Sequence, residues 1–263
     1  MSETPTRSYG NPPPWHPLWA ELALFLGEAF RPDWCSDEDT KVFEEVKRYP
    51  EVATFYRESD ILLYQSLGYW LNGWKRRYHS VLLQLGMGRI SILDYGCGAG
   101  YDGVCFLDYG YDVTFADLPG RSLDFCRWRV TRRAYEAQVL TLDGHVEIPF
   151  HHVVWCMDVI EHLPPAEQVR MLDLLGTLGR VVIVNLIHDV RADGVIHYPV
   201  DREALTAHVQ SQGPAAFHDV YVMPDGNVTR LLIYGQGVTC PSSGGMVIDV
   251  HGVAGPLSPL LMA

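Results

Sequence analysis

Three acidic residues stand at the ends of three short apolar runs. Asp94 closes Ile92-Leu93, Asp117 closes Val113-Thr114-Phe115-Ala116, and Asp143 follows Thr141-Leu142 and precedes Gly144. Between the first run and the second lies Gly96-Cys97-Gly98-Ala99-Gly100. Glycine permits positive φ and close approach of the backbone to a ligand, so a glycine-rich turn after a strand reads as a nucleotide loop. A loop that seats a pyrophosphate on a helix N-terminus has no use for an acid beside it, because the acid repels the phosphate. Asp94, two residues before Gly96, is such an acid, and Asp102 adds another. The spacing is also G-x-G-x-G rather than the dinucleotide G-x-G-x-x-G. A cationic amino-acid group is the better match to Asp94. Asp117, 23 residues further on, is placed to accept from both hydroxyls of a ribose. Asp143 can accept from an exocyclic amine. The three acids and the loop therefore read as a nucleoside site whose other end is cationic.

A second group follows the fourth apolar run, Val153-Val154-Trp155-Cys156-Met157. It is Asp158-Val159-Ile160-Glu161-His162. His162 is a candidate general base with Glu161 beside it. The alternative is that both residues orient the next helix, which opens at Pro164-Pro165. His188 and Asp189 follow the fifth run at the same sheet edge, facing either the substrate or solvent. His151 and His152 precede the fourth run, away from the site.

The elements that must hold these residues follow from periodicity. Ser91–Asp94, Asp112–Ala116, Gln138–Leu142, Val153–Met157 and Val181–Leu186 read as strands, with helices at about 101–109, 121–136 and 164–178 between them. The last of these strands is interrupted by Asn185. His218–Met223 and Val228–Tyr234 are joined by Pro224-Asp225-Gly226-Asn227, a hairpin signal. The fold class is α/β: a doubly wound, mostly parallel seven-stranded sheet with a terminal antiparallel hairpin, plus an α-helical N-terminal extension. Residues 1–88 form an arm and helical cap, 89–235 the main domain and 236–263 a tail, where Met246–Val250 is a candidate strand. In the cap, Ser36 is the expected N-cap of a helix running to Tyr49. A stripe from Leu63 through Leu67, Trp70, Trp74, Tyr78 and Leu82 to Leu85 predicts a long helix weakened at Gly68 and Gly73, where it can break or kink.

The chain has 263 residues and a formal net charge of −12. An acidic chain without a basic module argues against nucleic acid as partner. The five arginines of 121–133 read as a solvated helix face. Six cysteines without C-x-x-C spacing, no signal-peptide pattern and no long apolar run indicate a reducing, cytoplasmic setting without a membrane partner. Nothing in the sequence sets an oligomeric state.

LDYGCGAG (93–100), VTFADL (113–118), TLDG (141–144) and VVWCMDVIEHL (153–163) together resemble a class I S-adenosylmethionine-dependent methyltransferase of the small-molecule branch. The resemblance implies S-adenosylmethionine as cofactor. Asp94 would hold the methionine amine, and Gly96, Cys97, Gly98 and Gly100 would surround its amino-acid part. Asp117 and Leu118 would serve the ribose side, Asp143 and Gly144 the adenine amine, and Cys156 and Met157 would border the methionyl chain. The D-x-x-E-H segment is similar to the E-x-x-E-H of ubiquinone-pathway O-methyltransferases, where it is associated with a divalent metal. Many relatives carry the E-H pair without one, and no metal is assigned. The expected activity is methyl transfer to an oxygen or nitrogen of a small apolar or aromatic molecule. Two alternatives stay open: a nicotinamide-dependent oxidoreductase, and a non-catalytic S-adenosylmethionine-binding protein.

Overall fold

The structure, a computed structural model, describes residues 16–36, 38–71, 73, 78–80, 82, 90–187, 196–221, 228–239, 247–248 and 255–256. The chain enters through four helices, α1 (Pro17–Leu26), α2 (Glu38–Val46), α3 (Val52–Glu58) and α4 (Ile61–Leu71). It then alternates: β1 (Ser91–Tyr95), α5 (Tyr101–Asp108), β2 (Asp112–Asp117), α6 (Arg121–Arg132), β3 (Gln138–Thr141), β4 (His151–Cys156), α7 (Pro165–Leu178), β5 (Gly179–Ile187), α8 (Arg202–Gln212), β6 (Ala215–Tyr221) and β7 (Val228–Tyr234). The sheet order is β3-β2-β1-β4-β5-β7-β6. β1 to β5 run parallel, β7 is antiparallel to β5, and β6 pairs antiparallel with β7. The order reverses between β1 and β4, and a ligand crevice forms at the carboxyl ends of the strands at such a reversal. A small second sheet holds β8 (Val238–Thr239), β9 (Val247–Ile248) and β10 (Gly255–Pro256).

Successive strand residues point to opposite faces, so a strand covered on both sides is apolar throughout. Ile92, Val113, Phe115, Trp155 and Ile183 pack on one face with Val104, Phe106 and Val130. Leu93, Ala116, Val154, Cys156 and Val182 pack on the other with Leu172, Leu175 and Leu205. The cap has its own core of Trp19, Leu22, Phe55, Ile61, Tyr64 and Leu67. That core is continuous with Ala99, Tyr101, Phe125 and Ile196 of the main body. The cap is thus packed onto the glycine loop and the helix that follows it.

The seven strands of the main sheet follow the expected order, although β4 takes in His151 and His152, β6 starts at Ala215 rather than His218, and β8 and β10 were not expected; the larger differences fall in the helices. The long stripe is broken: α4 ends at Leu71, Gly73 has a φ of +76°, and residues 78–80 are again helical. A left-handed glycine ends a helix. Trp74 and Leu85 of that stripe lie outside the described residues. Ser36 ends a 3-10 turn, Pro32–Ser36, and α2 runs from Glu38 to Val46, stopping three residues short of Tyr49. α8 was not expected. Its start is nonetheless marked by Asp201, whose side chain accepts from the Ala204 amide at 3.0 Å. The Pro224–Asn227 turn lies outside the described residues.

The arginine-rich α6 is not simply a solvated face. Arg129 is 2% exposed and bonds Glu21 of α1 at 3.1 Å and the Ala99 carbonyl at 2.9 Å. Its guanidinium lies 4.2 Å from the Tyr101 ring centre. Arg133 bonds the other Glu21 oxygen at 3.0 Å, and Arg121 bonds Asp60 at 2.7 Å. Two acids of the cap therefore dock on a basic strip of the main body. Burial opposes ionisation of Glu21, but the bond from Arg133 and the nearby charge of Arg129 outweigh it and lower its pKa.

A second buried ion pair lies beneath α5. His79 Nε2 is 2.8 Å from Asp102 Oδ1, and Trp155 Nε1 donates to Asp102 Oδ2 at 3.2 Å. Asp102 is thus turned into the protein core rather than standing guard over the loop. Burial alone would lower the His79 pKa, but the bonds to Asp102 and the Cys105 thiol raise it to about 9. None of the five described cysteines forms a disulfide. Among the described residues no helix is long and apolar enough to cross a membrane.

Two stability predictions follow from these pairs. Glu21→Ala leaves the buried Arg129 cation without its carboxylate and should cost about 3 kcal/mol in urea denaturation. Arg132→Ala, on the exposed side of α6, should change stability by less than about 0.5 kcal/mol. Equal effects would contradict the docking role of Glu21. The second prediction concerns pH. The folded pKa of His79 is raised above its ordinary 6.5 to about 9. Its contribution is therefore complete below pH 6.5 and is lost as pH rises through about 9. Unfolding free energy of the native protein should fall across that window more steeply than that of His79→Gln, and matching slopes would contradict the pairing.

Candidate functional site

The carboxyl ends of β1, β2, β3 and β4 form one edge. Asp117 pairs in register with Thr141, and Ala116 with Tyr95. Asp94 pairs with Trp155. The loop after β1 is fastened to β2, since the Gly96 and Cys97 amides both donate to the Ala116 carbonyl, at 2.8 and 3.2 Å. The Asp117 carboxylate completes the junction. Its Oδ2 accepts from the Gly98 amide at 2.5 Å and its Oδ1 from the Leu118 amide at 2.6 Å. Burial raises the Asp117 pKa, and the two amide bonds partly offset the rise. Asp94 is 3% exposed, and its Oδ2 accepts from the Gly103 amide in the first turn of α5 at 3.0 Å.

The glycines divide into two kinds. Gly96 and Gly100 have φ values of +71° and +70° and are also packed tight. A Cβ on Gly96 would fall 2.3 Å from Val159 Cγ2, and one on Gly100 would fall 2.5 Å from Cys126 Sγ. Gly103, which carried no sequence signal, is closed as well: a Cβ there would meet Phe115 at 2.2 Å and Asp94 Oδ2 at 2.7 Å. Gly98 and Gly144 differ. Both have positive φ, +53° and +64°, yet no atom lies within 4 Å of either Cβ position. The backbone of the loop and of the turn after β3 therefore borders open space beside Asp117.

Leu118 is 61% exposed at this edge, and Asp143 and Gly144 are exposed in the turn after β3. Cys97 is half-buried, and burial raises the pKa of its thiol. Cys156 is fully buried in the core beneath the edge, and burial likewise raises its pKa.

The second group is organised by its own contacts. Ile160–His162 forms a single 3-10 turn. His162 Nδ1 lies 2.9 Å from the Ile196 carbonyl and 2.8 Å from the Tyr56 hydroxyl. A carbonyl can only accept, so Nδ1 carries the proton and the lone pair sits on Nε2. Burial, with His197 4.9 Å away between ring centres, lowers the His162 pKa to about 4, so the ring is neutral at pH 7. Glu161 is 3% exposed, and its carbonyl accepts from the Tyr198 amide at 2.6 Å. Asp158 exchanges bonds with Asn185: the Asp158 amide donates to Asn185 Oδ1 at 2.7 Å, and Asn185 Nδ2 donates to Asp158 Oδ1 at 2.6 Å. Among the described residues no group of three or more His, Cys, Asp or Glu is arranged to hold a metal ion.

The structure thus brings together Asp94, the glycine loop, Asp117, Leu118 and Asp143 along one edge, with His162 beyond β4. His188 and Asp189 lie outside the described residues. His151 and His152 begin β4 at the opposite end, where His152 Nδ1 bonds Ser91. Tyr56 and Asn185 were not legible as site residues. One reaches the site only through the packing of α3, and the other appeared merely as a polar break in an apolar strand.

No protein-family model and no curated protein sequence matches the chain. Solved structures do match it in shape. Magnesium protoporphyrin IX methyltransferase from Synechocystis PCC 6803, with bound SAM, has 14% sequence identity and a TM-score of 0.52, covering 81% of this chain and 95% of that one. WbdD, solved with a kinase inhibitor, has 14% identity and a TM-score of 0.53 over 82% of this chain and 50% of its own. The (4+2) cyclase SpnF has 14% identity and a TM-score of 0.50 over 60% and 80%. The chain has the fold of the class I S-adenosylmethionine-dependent methyltransferases.

Proposed function

We propose that the protein transfers a methyl group from S-adenosylmethionine to a small-molecule acceptor. The observation that carries the reading is the open space bordered by Gly98 and Gly144 beside the Asp117 carboxylate, at the strand reversal. A nucleoside there meets an acid suited to its ribose hydroxyls. Leu118 flanks the base, and Asp143 in the turn with Gly144 accepts from its amine. The amino-acid end lies along Gly96, Cys97, Gly98 and Gly100 toward Asp94, whose charge attracts an ammonium. Cys156 and Met157 close the floor at the end of β4. The bound cofactor supplies an already activated methyl, so the protein's task is chiefly alignment.

The acceptor site lies between the cap and the ends of β4 and β5, bounded by Tyr56, His162 and His197. These rings favour a flat apolar or aromatic molecule presenting an oxygen or nitrogen. His162, neutral and with its lone pair on Nε2, accepts from the nucleophile and orients it. A hydroxyl becomes strongly acidic as the methyl adds, so even a weak base can take its proton then. The Glu161 carbonyl holds the irregular segment at Tyr198 against this turn. His188 is kept as a candidate from its place in sequence after β5.

The cyclase SpnF, on the same fold, supports a second reading in which the domain serves other chemistry. Calorimetric titration separates the outcomes. S-adenosylhomocysteine should bind and NADH should not. Asp117→Ala should weaken S-adenosylhomocysteine by about 1–3 kcal/mol, through loss of a charged acceptor. Binding of NADH alone would replace the methyltransferase reading with the oxidoreductase one. Binding of S-adenosylhomocysteine without methyl transfer to any of a panel of phenols, amines and acids would favour the second reading.

A further inference from the structure

The apolar strand β5 is broken by one polar residue, Asn185, which is 1% exposed. Burying an amide is unfavourable unless its hydrogen bonds are met. Here they are met by one residue, Asp158, whose backbone amide and side-chain oxygen bond the Asn185 amide group at 2.7 and 2.6 Å. Asp158 has a φ of +57° and is one of two non-glycine residues with positive φ among those described, the other being Ala134. Such a conformation is strained and persists only when the surroundings impose it. The turn it creates has two consequences. Val159 is pressed onto Gly96, where a Cβ would fall 2.3 Å from Val159 Cγ2. The chain then enters the 3-10 turn Ile160–His162, which delivers His162 to Tyr56 and Ile196.

We infer that Asn185 is a positioning residue for the acceptor side of the site, holding Asp158 in the left-handed turn that fixes the orientation and tautomer of His162. The inference rests on the methyltransferase reading for its purpose, although the clamp itself is tested without it. Asn185 touches neither the cofactor space nor the His162 contacts and acts through Asp158. Among the described residues, the titratable groups facing His162 are Tyr56 of α3, His197 and Asp158, and the clamp sets the distance of the last of these from the ring. Asparagine suits the role because the bonds run in both directions: its oxygen accepts the amide and its nitrogen donates to the carboxylate.

The test is nitrogen-15 NMR of the histidine side chains in the full-length protein, titrated over pH, with and without S-adenosylhomocysteine. In the native protein His162 should be the Nδ1–H tautomer, with a midpoint near 4. Asn185→Leu should give mixed tautomers and a midpoint moved toward the ordinary value of about 6.5. Asn185→Leu combined with Asp158→Gly should return His162 toward its native state, because glycine takes positive φ without help. Unchanged His162 signals in Asn185→Leu would overturn the inference. So would a disturbance that Asp158→Gly does not relieve, which would make Asn185 an ordinary buried polar group. Should Asn185→Leu fail to fold, Asn185→Asp takes its place, and the same disturbance is expected because a carboxylate cannot donate to Asp158. Failure of S-adenosylhomocysteine to bind the native protein would sink the methyltransferase reading while leaving the tautomer comparison to decide the clamp.

Discussion

A carboxylate at the end of a buried strand must be given donors, and in this protein the donors are the amides of Gly98 and Leu118 around Asp117. That requirement shapes the whole edge of the sheet. The Gly98 amide reaches Asp117 only because the loop after β1 folds back over β2, tied to the Ala116 carbonyl. The fold-back needs positive φ at Gly96, Gly98 and Gly100. It also sets where α5 begins, and Asp94 braces that start through the Gly103 amide. With the amides occupied by a protein carboxylate, the loop is ill suited to a pyrophosphate. The same loop holds the acid against Gly98, whose own Cβ position is unobstructed.

The cap belongs to the same construction. Its apolar core runs into Ala99 and Tyr101, so the residue between Gly98 and Gly100 is a cap contact as well as a loop residue. Arg129 links the two parts physically, bonding the Ala99 carbonyl on one side and Glu21 on the other. α3 lies close enough over the start of α6 that a Cβ on Gly120 would fall 3.0 Å from the Arg57 backbone. The neighbouring Tyr56 is thereby placed on His162. An acceptor held under the cap would be bounded by one ring from the N-terminal helices and by imidazoles from the sheet edge.

The sheet was legible because its signals are local. An apolar run ending in an acid and glycines is dictated by strand burial and by backbone geometry within a few residues. The two-face burial of β1, β4 and β5 is written in their apolar runs, Ile92-Leu93, Val153–Cys156 and Val181–Val184. What the sequence concealed depends on contacts across long separations. Asp102 looks like a ligand-facing acid until His79 and Trp155 are found on it. The arginines of 121–133 have the spacing of a surface face, and three of them acquire their cap partners, Glu21 and Asp60, only across long separations. Asn185 is a blemish in a strand until Asp158 is set beside it. Helix ends were less readable: Gly73 was legible as a weak point, but Asp201 caps α8 through a single turn that apolar periodicity does not register.

The placement of the nucleoside is the centre of the account, and backbone amide NMR during titration with S-adenosylhomocysteine addresses it directly. The largest shifts should fall on Gly96, Gly98, Leu118 and Gly144, with little change at His152 and Gly179 on the opposite end of the sheet. Shifts concentrated in the surface groove of Asp124, Arg127, Trp128 and Arg132, with the strand ends unaffected, would contradict it.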